Sequence, residues 1–253
     1  VTMYRDDEDE IIIALDTNDG ATRWERRYSA PVDTRQFASR YGYGPRSTPL
    51  IADDRVYAAG YGGMLHCLNL KDGRVQWKRD LLKDFDGNPT RWGYACSPLK
   101  WKDTIIVFTG GKGASIVALD QTTGRVRWKR HDFLNSYGSP IVIDIAGRSQ
   151  LICFMMKEVA GLDPDNGDLL WRYPHENQWD NNIVTPVYGD DGVLFVTSEG
   201  SGGAGAIQLT RSRGATRATE LWHTRKMKVS HRNAIRIGDY IFASHGDFGP
   251  KSF

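Results

Sequence analysis

Five short segments gather the residue types most able to do chemistry: Tyr41-Gly-Tyr-Gly-Pro-Arg46, Arg91-Trp-Gly-Tyr94, Asn135-Ser-Tyr-Gly138, Gln178-Trp-Asp-Asn-Asn182 and Ser230-His-Arg-Asn233. Their rings are Tyr43, Trp92, Tyr94, Tyr137 and Trp179; their polar partners are Arg46, Asn182, His231, Arg232 and Asn233. Aromatic faces beside guanidinium, amide and imidazole groups make a cavity for a planar or polar ligand. The same residues can instead pack and hydrogen-bond loops around a wet channel, and both readings stay open.

Other chemistries fit poorly. His66, His131, His175, His223, His231 and His245 show no HxH or HExxH spacing, so no zinc site is expected. Asp163-Pro-Asp-Asn-Gly-Asp168 resembles half of a calcium loop but has no glutamate at the twelfth position, and Asp84-Phe-Asp-Gly-Asn88 reads as a solvated turn. No metal site is expected. Gly200-Ser-Gly-Gly-Ala-Gly205 is followed by no Gly-Lys-Ser/Thr, which makes it a hairpin loop rather than a phosphate cradle. Arg211, Arg213, Arg217, Arg225, Lys226 and Lys228 form a basic stretch that reads as a solvated face. Cys67, Cys96 and Cys153 are far apart and odd in number; they suggest buried small hydrophobes, with no disulfide framework.

The elements that must position the five segments come from an internal repeat. Ala14-Leu-Asp-Thr-Asn-Asp-Gly-Ala-Thr-Arg-Trp24 recurs as Cys67-Leu-Asn-Leu-Lys-Asp-Gly-Arg-Val-Gln-Trp77, Ala118-Leu-Asp-Gln-Thr-Thr-Gly-Arg-Val-Arg-Trp128 and Gly161-Leu-Asp-Pro-Asp-Asn-Gly-Asp-Leu-Leu-Trp171. A fifth, degenerate copy runs from Gly214 to Trp222, and successive tryptophans are 53, 51, 43 and 51 residues apart. A Ser/Thr-Pro step opens each complete unit: Thr48-Pro49, Ser97-Pro98, Ser139-Pro140 and Thr185-Pro186. Apolar or β-branched runs separated by polar turns follow each step. The unit therefore reads as strand, turn, strand, turn, strand, Asp-x-x-x-Gly turn, Trp-bearing strand, with no sustained helical period. The Asp accepts turn N–H groups and the Gly supplies positive φ. Trp24, Trp77, Trp128, Trp171 and Trp222 are expected to fill the gap between one unit and the next, each indole N–H finding a neighbouring backbone carbonyl.

The predicted fold is all-β, a β-propeller of four-stranded blades: a half blade at 1–28, blades at about 47–81, 97–131, 139–174 and 183–224, and a half blade at 231–253. Either the two ends complete one blade and close a five-bladed ring, or the chain is a segment of a larger ring. The second is favoured, since Val1 begins within an apparent strand and Lys251-Ser-Phe253 stops before a third one. With 253 residues, 40% of them hydrophobic and 25% charged, the chain can bury a core and is not wholly disordered. A net charge of +2 gives no electrostatic case for nucleic acid, and no apolar run is long enough to span a bilayer.

The Ala-Leu-Asp-x-x-x-Gly-x-x-x-Trp pattern resembles the PQQ-like (pyrroloquinoline-quinone-like) β-propeller repeat over essentially the whole chain. That resemblance implies a propeller of seven or eight blades and leaves function divided. Some members are quinoprotein dehydrogenases holding PQQ and Ca²⁺ in the central funnel. Others, of the outer-membrane assembly BamB type, share the repeat and bind no quinone. Alcohol-oxidising members carry two adjacent cysteines, which this chain lacks. The reading favoured is a non-catalytic binding or scaffold module with no cofactor, in a bacterial envelope or secreted context, meeting a protein or small ligand at the channel mouth. The alternative is a fragment of a PQQ-dependent oxidoreductase, with Ca²⁺ and with Asp180 or an Asp outside this segment as base.

Overall fold

The computed structural model describes residues 1–32 and 42–244. Tyr41, His245 and the stretch through Phe253 assigned above to the last half blade lie outside the described residues. The chain divides into two compact units, Val1–Asn135 and Ser136–Phe253, each described by itself.

In the first unit, β1 (Thr2–Asp6), β2 (Asp9–Leu15) and β3 (Thr22–Ser29) form a three-stranded sheet. It is followed by two four-stranded meanders, β4 (Leu50–Ala52) to β7 (Val75–Asp80) and β8 (Leu99–Trp101) to β11 (Val126–Arg130). Their middle strands are β5 (Arg55–Ala59) and β6 (Met64–Asn69), then β9 (Thr104–Gly111) and β10 (Ala114–Asp120). A single-turn helix, α1 (Leu81–Phe85), capped by the Asp80 side chain, sits between the two meanders. The second unit has the meander β12 (Ile141–Ile145), β13 (Arg148–Phe154), β14 (Glu158–Leu162) and β15 (Leu169–Pro174). It continues with β16 (Val187–Tyr188), β17 (Val193–Ser198), β18 (Gly203–Ser212) and β19 (Ala215–Thr224), and with the pair β20 (Ile235–Ile237) and β21 (Tyr240–Phe242). All pairings are antiparallel between chain neighbours.

The β-branched and aromatic runs read from the sequence become the second and third strands, the most buried of each sheet. Both faces of these strands are covered, so their sequences are apolar without strict alternation. Tyr57, Ala59, Leu65 and Cys67 of one sheet pack on Ile105, Val107, Val117 and Leu119 of the next. In the second unit Ile143, Ile152 and Phe154 meet Leu194, Val196, Ile207 and Leu209 in the same way. The three cysteines are buried and free.

The Asp-x-x-x-Gly turn repeats atom for atom. The glycine N–H donates to the carbonyl of Asp16, Asn69, Asp120 or Asp163 at 2.8–3.0 Å. The side-chain oxygen of the same residue accepts the N–H two residues on. Gly20, Gly73, Gly124 and Gly167 all have positive φ, between 66° and 78°. A second constraint on the glycine is absent from the local reading. The Trp24 ring lies on Gly73, where a Cβ would collide with it, and the Trp77 ring lies on Gly124, where a Cβ would stand 2.7 Å away. Trp24 Nε1 donates to the Leu70 carbonyl at 2.8 Å and Trp77 Nε1 to that of Gln121 at 3.1 Å. Two residues on, Arg26 Nε reaches the Gly73 carbonyl at 2.7 Å and Arg79 Nε that of Gly124 at 2.8 Å. The Trp-x-Arg pair thus clasps the following sheet's turn. A register shift lies beside each of the five repeat tryptophans, one residue before it on the outer strand. This bulge re-aims the indole out of the strict alternation.

Trp128 is buried to the same degree as Trp24. Trp171 and Trp222 depart from the expectation. The β18–β19 hairpin closes through Arg213 and Gly214, both at positive φ, and has no Asp turn to offer a carbonyl. Trp171 is buried, but its Nε1 donates to Gln150 Oε1 of its own sheet at 2.8 Å, lying over Gly161. Trp222 is 44% exposed and faces Phe195 of its own sheet, with ring centroids 6.2 Å apart. No third or fourth strand follows β21 among the described residues.

These contacts rank the tryptophans. Trp24→Ala is expected to cost roughly 3–5 kcal/mol, the range for a buried aromatic, and Trp222→Ala under about 1 kcal/mol. Urea unfolding of the two variants measures both, and equal losses would remove the turn-docking account.

Candidate functional site

A four-stranded meander places its first and third turns at one edge of the sheet. Its middle turn and the connection to the next sheet lie at the opposite edge. The five aromatic-polar segments are those connections, so in each unit they share an edge with the turns after β5, β9, β13 and β17. This edge is the candidate site.

In the first unit it is organised around Tyr61, in the turn after β5, a residue the sequence reading passed over. The ring of Tyr43 meets Tyr61 edge-on with centroids 5.9 Å apart, and the Arg46 guanidinium carbon lies 5.8 Å from the Tyr61 ring centre. Gly93 packs its Cα on the same ring, where a Cβ would stand 2.7 Å away. Beside it Arg91 lies over the Trp92 ring at 5.7 Å. Tyr43 and Arg46 are therefore brought together on Tyr61, while Trp92 stands with Arg91. Tyr94 is not at the mouth: it is 3% exposed within the core, its hydroxyl donating to the Thr109 carbonyl at 2.8 Å.

Beneath Tyr61 lies Glu10, fully buried. Its carboxylate accepts from the Tyr61 N–H at 2.9 Å, from Arg5 at 3.3 Å and from the Tyr28 hydroxyl. Burial, then the Glu10 charge, raises the Tyr28 phenol well above its ordinary value. Arg5 also donates to the carbonyls of Tyr43 and Ala30. The sequence signal for this cluster is a lone acid heading an apolar run, Glu10-Ile-Ile-Ile13.

In the second unit the edge is held by amides. Asn182 is fully buried. Its Nδ2 donates to the carbonyls of Met155, Met156 and His175 at 2.8, 3.0 and 3.3 Å, and its Oδ1 accepts from Asn177 at 2.9 Å. Its carbonyl accepts the Tyr137 and Gly138 N–H groups. Asn182 is thus a buried loop pin. Asn177 Oδ1 holds the Trp179 N–H at 2.9 Å, and Trp179 is left 64% exposed. Asn233 accepts the Thr185 N–H at 3.0 Å. This is the same stitch that Ser97 makes to Thr48 at 2.9 Å in the first unit, and it gives the Ser/Thr-Pro step its structural purpose. Arg232 is exposed and donates to Ser244 at 3.2 Å.

Two side-chain groupings have catalytic residue types. His175 Nε2 lies 2.9 Å from Ser198 Oγ, but Ser198 is 1% exposed and out of reach of a substrate. Glu199, nearly buried, accepts from Ser230 at 2.8 Å and from Asn181 at 2.8 Å, while Ser230 also meets His231 Nδ1 at 2.7 Å. The serine stands between acid and imidazole, an order that orients His231 and activates no nucleophile. Among the described residues no three His, Cys, Asp or Glu side chains converge as a metal requires. In the acidic turn, Asp163 is taken by Arg148 at 2.9 Å and by its own turn.

A family model described as outer membrane protein assembly factor BamB matches residues 7–249. The chain belongs to that family. Across 189 residues it is 27% identical to the outer membrane protein assembly factor BamB of Alkalilimnicola ehrlichii, covering 74% of this chain and 44% of that protein. It is 25% identical over 155 residues to the quinoprotein alcohol dehydrogenase PedH of Pseudomonas putida, covering 57% of this chain and 25% of that one. The chain thus spans less than half the length of these relatives. The crystal structure of BamB from Moraxella catarrhalis superposes with a TM-score of 0.66 at 20% identity, over 96% of this chain and 67% of that one. The sheets of this BamB-family chain are the blades of a PQQ-like repeat β-propeller, the fold expected from the repeat.

Protonation tests the packing beneath the edge. Burial, with a smaller contribution from His223, pulls the His175 imidazole down to about 4; burial and Lys78 do the same to His66. Both stay neutral in the folded chain while the unfolded chain takes up protons near its ordinary value. Stability is therefore full above that value and is lost as pH falls from 6.5 toward 4. The expected loss is about 2 kcal/mol per histidine between pH 7 and pH 5. Urea unfolding at the two pH values should show a smaller loss in His175→Gln than in the parent; an unchanged slope would exclude His175 as a source.

Proposed function

We propose that this chain is a non-catalytic docking module of the bacterial envelope, whose loop edge presents residues to a polypeptide partner in outer-membrane protein assembly. One observation carries the reading. Residues expected to bind a ligand are spent on holding the loops, Asn182 and Asn233 through hydrogen bonds and Tyr94 in the core, while Trp179 is fixed at its backbone and presented to solvent. A rigid, exposed aromatic is the kind of group that dominates protein–protein contacts. The family supports the partner class, since the matching family model and the Alkalilimnicola ehrlichii relative are named as outer membrane protein assembly factors. No helix among the described residues is long and apolar enough to cross a membrane. The near balance of charge in this chain favours a protein over nucleic acid.

The likeness to PedH raises the quinone alternative. The residues present do not fit it. A calcium–quinone site asks for several oxygens converging on a cation. Here both Glu199 oxygens receive neutral donors, and Asn182 Oδ1 receives one as well. Asp180 stands in the exposed loop with its N–H on the Asn177 carbonyl.

The test is a photo-crosslinking residue at Trp179 in the full-length protein in its native envelope, with Thr122, exposed on an Asp-x-x-x-Gly turn, as the control position. The expected product at 179 and not at 122 is a single protein of outer-membrane protein assembly. Trp179→Ala should abolish that capture in competition while changing stability by under about 0.5 kcal/mol. Saturable Trp quenching by PQQ that requires Ca²⁺ would overturn the proposal.

A further inference from the structure

We infer that the outward face of the β20–β21 pair, made by Ile235, Ile237, Tyr240 and Phe242, is a self-association surface that takes the same face of a second copy of this chain. The inference goes beyond the docking reading above and concerns a different surface.

The alternation of this pair is inverted. Ile241 and Ala243 turn inward and pack with Phe195 and Ala204 of the neighbouring sheet, and Arg236 lies over Gly189. The large apolar side chains point the other way and are between 55% and 71% exposed. A strand with one covered face ordinarily hides its large apolar residues and turns polar ones to water. Here the cross-strand pairs Ile235–Phe242 and Ile237–Tyr240 gather all four into one patch, with the two aromatic rings 6.4 Å apart. Leu15, Ile51, Val75 and Val126, also exposed, stand one to a strand, which is ordinary for a protein surface.

The patch is held from below. Arg236 meets Asp191 through two bonds of 2.8 Å, which ties β20 to the turn between β16 and β17. A partner therefore meets side chains on an ordered backbone.

Area and charge select the occupant. An aromatic side chain covers 150–250 Å², so at these exposures the four residues offer on the order of 500 Å². Two such faces together remove about 1,000 Å² from water, the lower bound for specific association. A second copy supplies the equal apolar face that this sum needs. The two ends of the pair differ in charge: Asp239 is exposed at the turn, and Arg232 is exposed ahead of β20 at the open end. A two-fold axis that reverses one copy on the other sets turn end against open end twice, acid toward base. A bilayer would instead call for a basic rim around the apolar face.

Sedimentation velocity of the full-length protein tests the pairing. The expected species is a dimer that dissociates on dilution. Phe242→Asp and Tyr240→Lys should each raise the dissociation constant at least about a hundredfold, since each removes one buried aromatic per copy and leaves a charge unpaired. Both positions are exposed in the single chain, so urea unfolding of the dilute variants should match that of the dilute parent. An equimolar mixture of the two variants should recover a dimer holding one copy of each, because the new acid and the new base meet at one of the two symmetric contacts. A parent that stays monomeric up to about 1 mM would overturn the inference. So would a dimer that survives both substitutions, a mixture that stays monomeric, or a monomeric parent that binds phosphatidylglycerol vesicles and loses them in Phe242→Asp.

Discussion

Much of the architecture depends on an indole seated where a side chain is missing. Trp24 on Gly73 and Trp77 on Gly124 each need three things at once: a positive-φ turn, bare Cα surface, and a carbonyl aimed at Nε1. The Asp-x-x-x-Gly turn delivers all three, because the Asp or Asn side chain fixes the turn that presents both the glycine and the carbonyl. The contact is made between sheets, so the first two sheets are each completed by the next. That is the cooperative logic of a repeat protein, in which no unit buries its faces alone. Where the turn is lost, at the β18–β19 hairpin, the indole of Trp171 turns back on Gln150 and stays buried. The hydrogen bond is kept and its direction changes, as expected when an unpaired buried donor is costlier than a displaced one.

The opposite edge of the sheets is governed by polar satisfaction. Loops that turn inward bring backbone groups out of water, and each needs a partner. Asn182 satisfies the Met155, Met156 and His175 carbonyls, and Ser97 and Asn233 each take the N–H of the preceding sheet's Ser/Thr-Pro step. Across the first strands a further link recurs in charge form. Lys100 reaches Asp53 at 2.6 Å, and Arg236 reaches Asp191, holding its carboxyl below the ordinary range.

The periodic part of the structure was legible because it is local. The Gly-to-Trp spacing, the Asp turn and the apolar runs all lie within a few residues of one another, and they return as four-stranded antiparallel sheets. The site was less legible because its parts are not adjacent in sequence. Tyr43 and Arg46 could be named as mouth residues, but nothing near them announces Tyr61, the ring on which they converge. Tyr94 and Asn182 carry the same residue types and sit at the same repeat positions. They are absorbed by core packing and by carbonyls as far away as Met155, which only the folded chain brings close. Residue type at a loop position thus states what a side chain can do. Whether it is available to do it depends on which orphaned backbone groups lie within reach.

That distinction also bears on how a fold shared by oxidoreductases and assembly factors comes to serve one or the other. The indole-on-glycine contacts set the spacing of the blades and are indifferent to the chemistry at the loop edge. Catalysis would require polar groups there to be left partly unsatisfied and aimed at a common point. In this chain two buried acids there are engaged by neighbours, Glu10 by Tyr61, Arg5 and Tyr28, and Glu199 by Asn181 and Ser230, while Asn181 Oδ1 is buried with no hydrogen-bond partner among the described residues. What remains outward is a set of fixed but exposed groups, Trp179 and Arg46 among them, on loops stiffened from below. A surface built that way lowers the ordering cost of recognition, because the groups that meet a partner are already where they need to be.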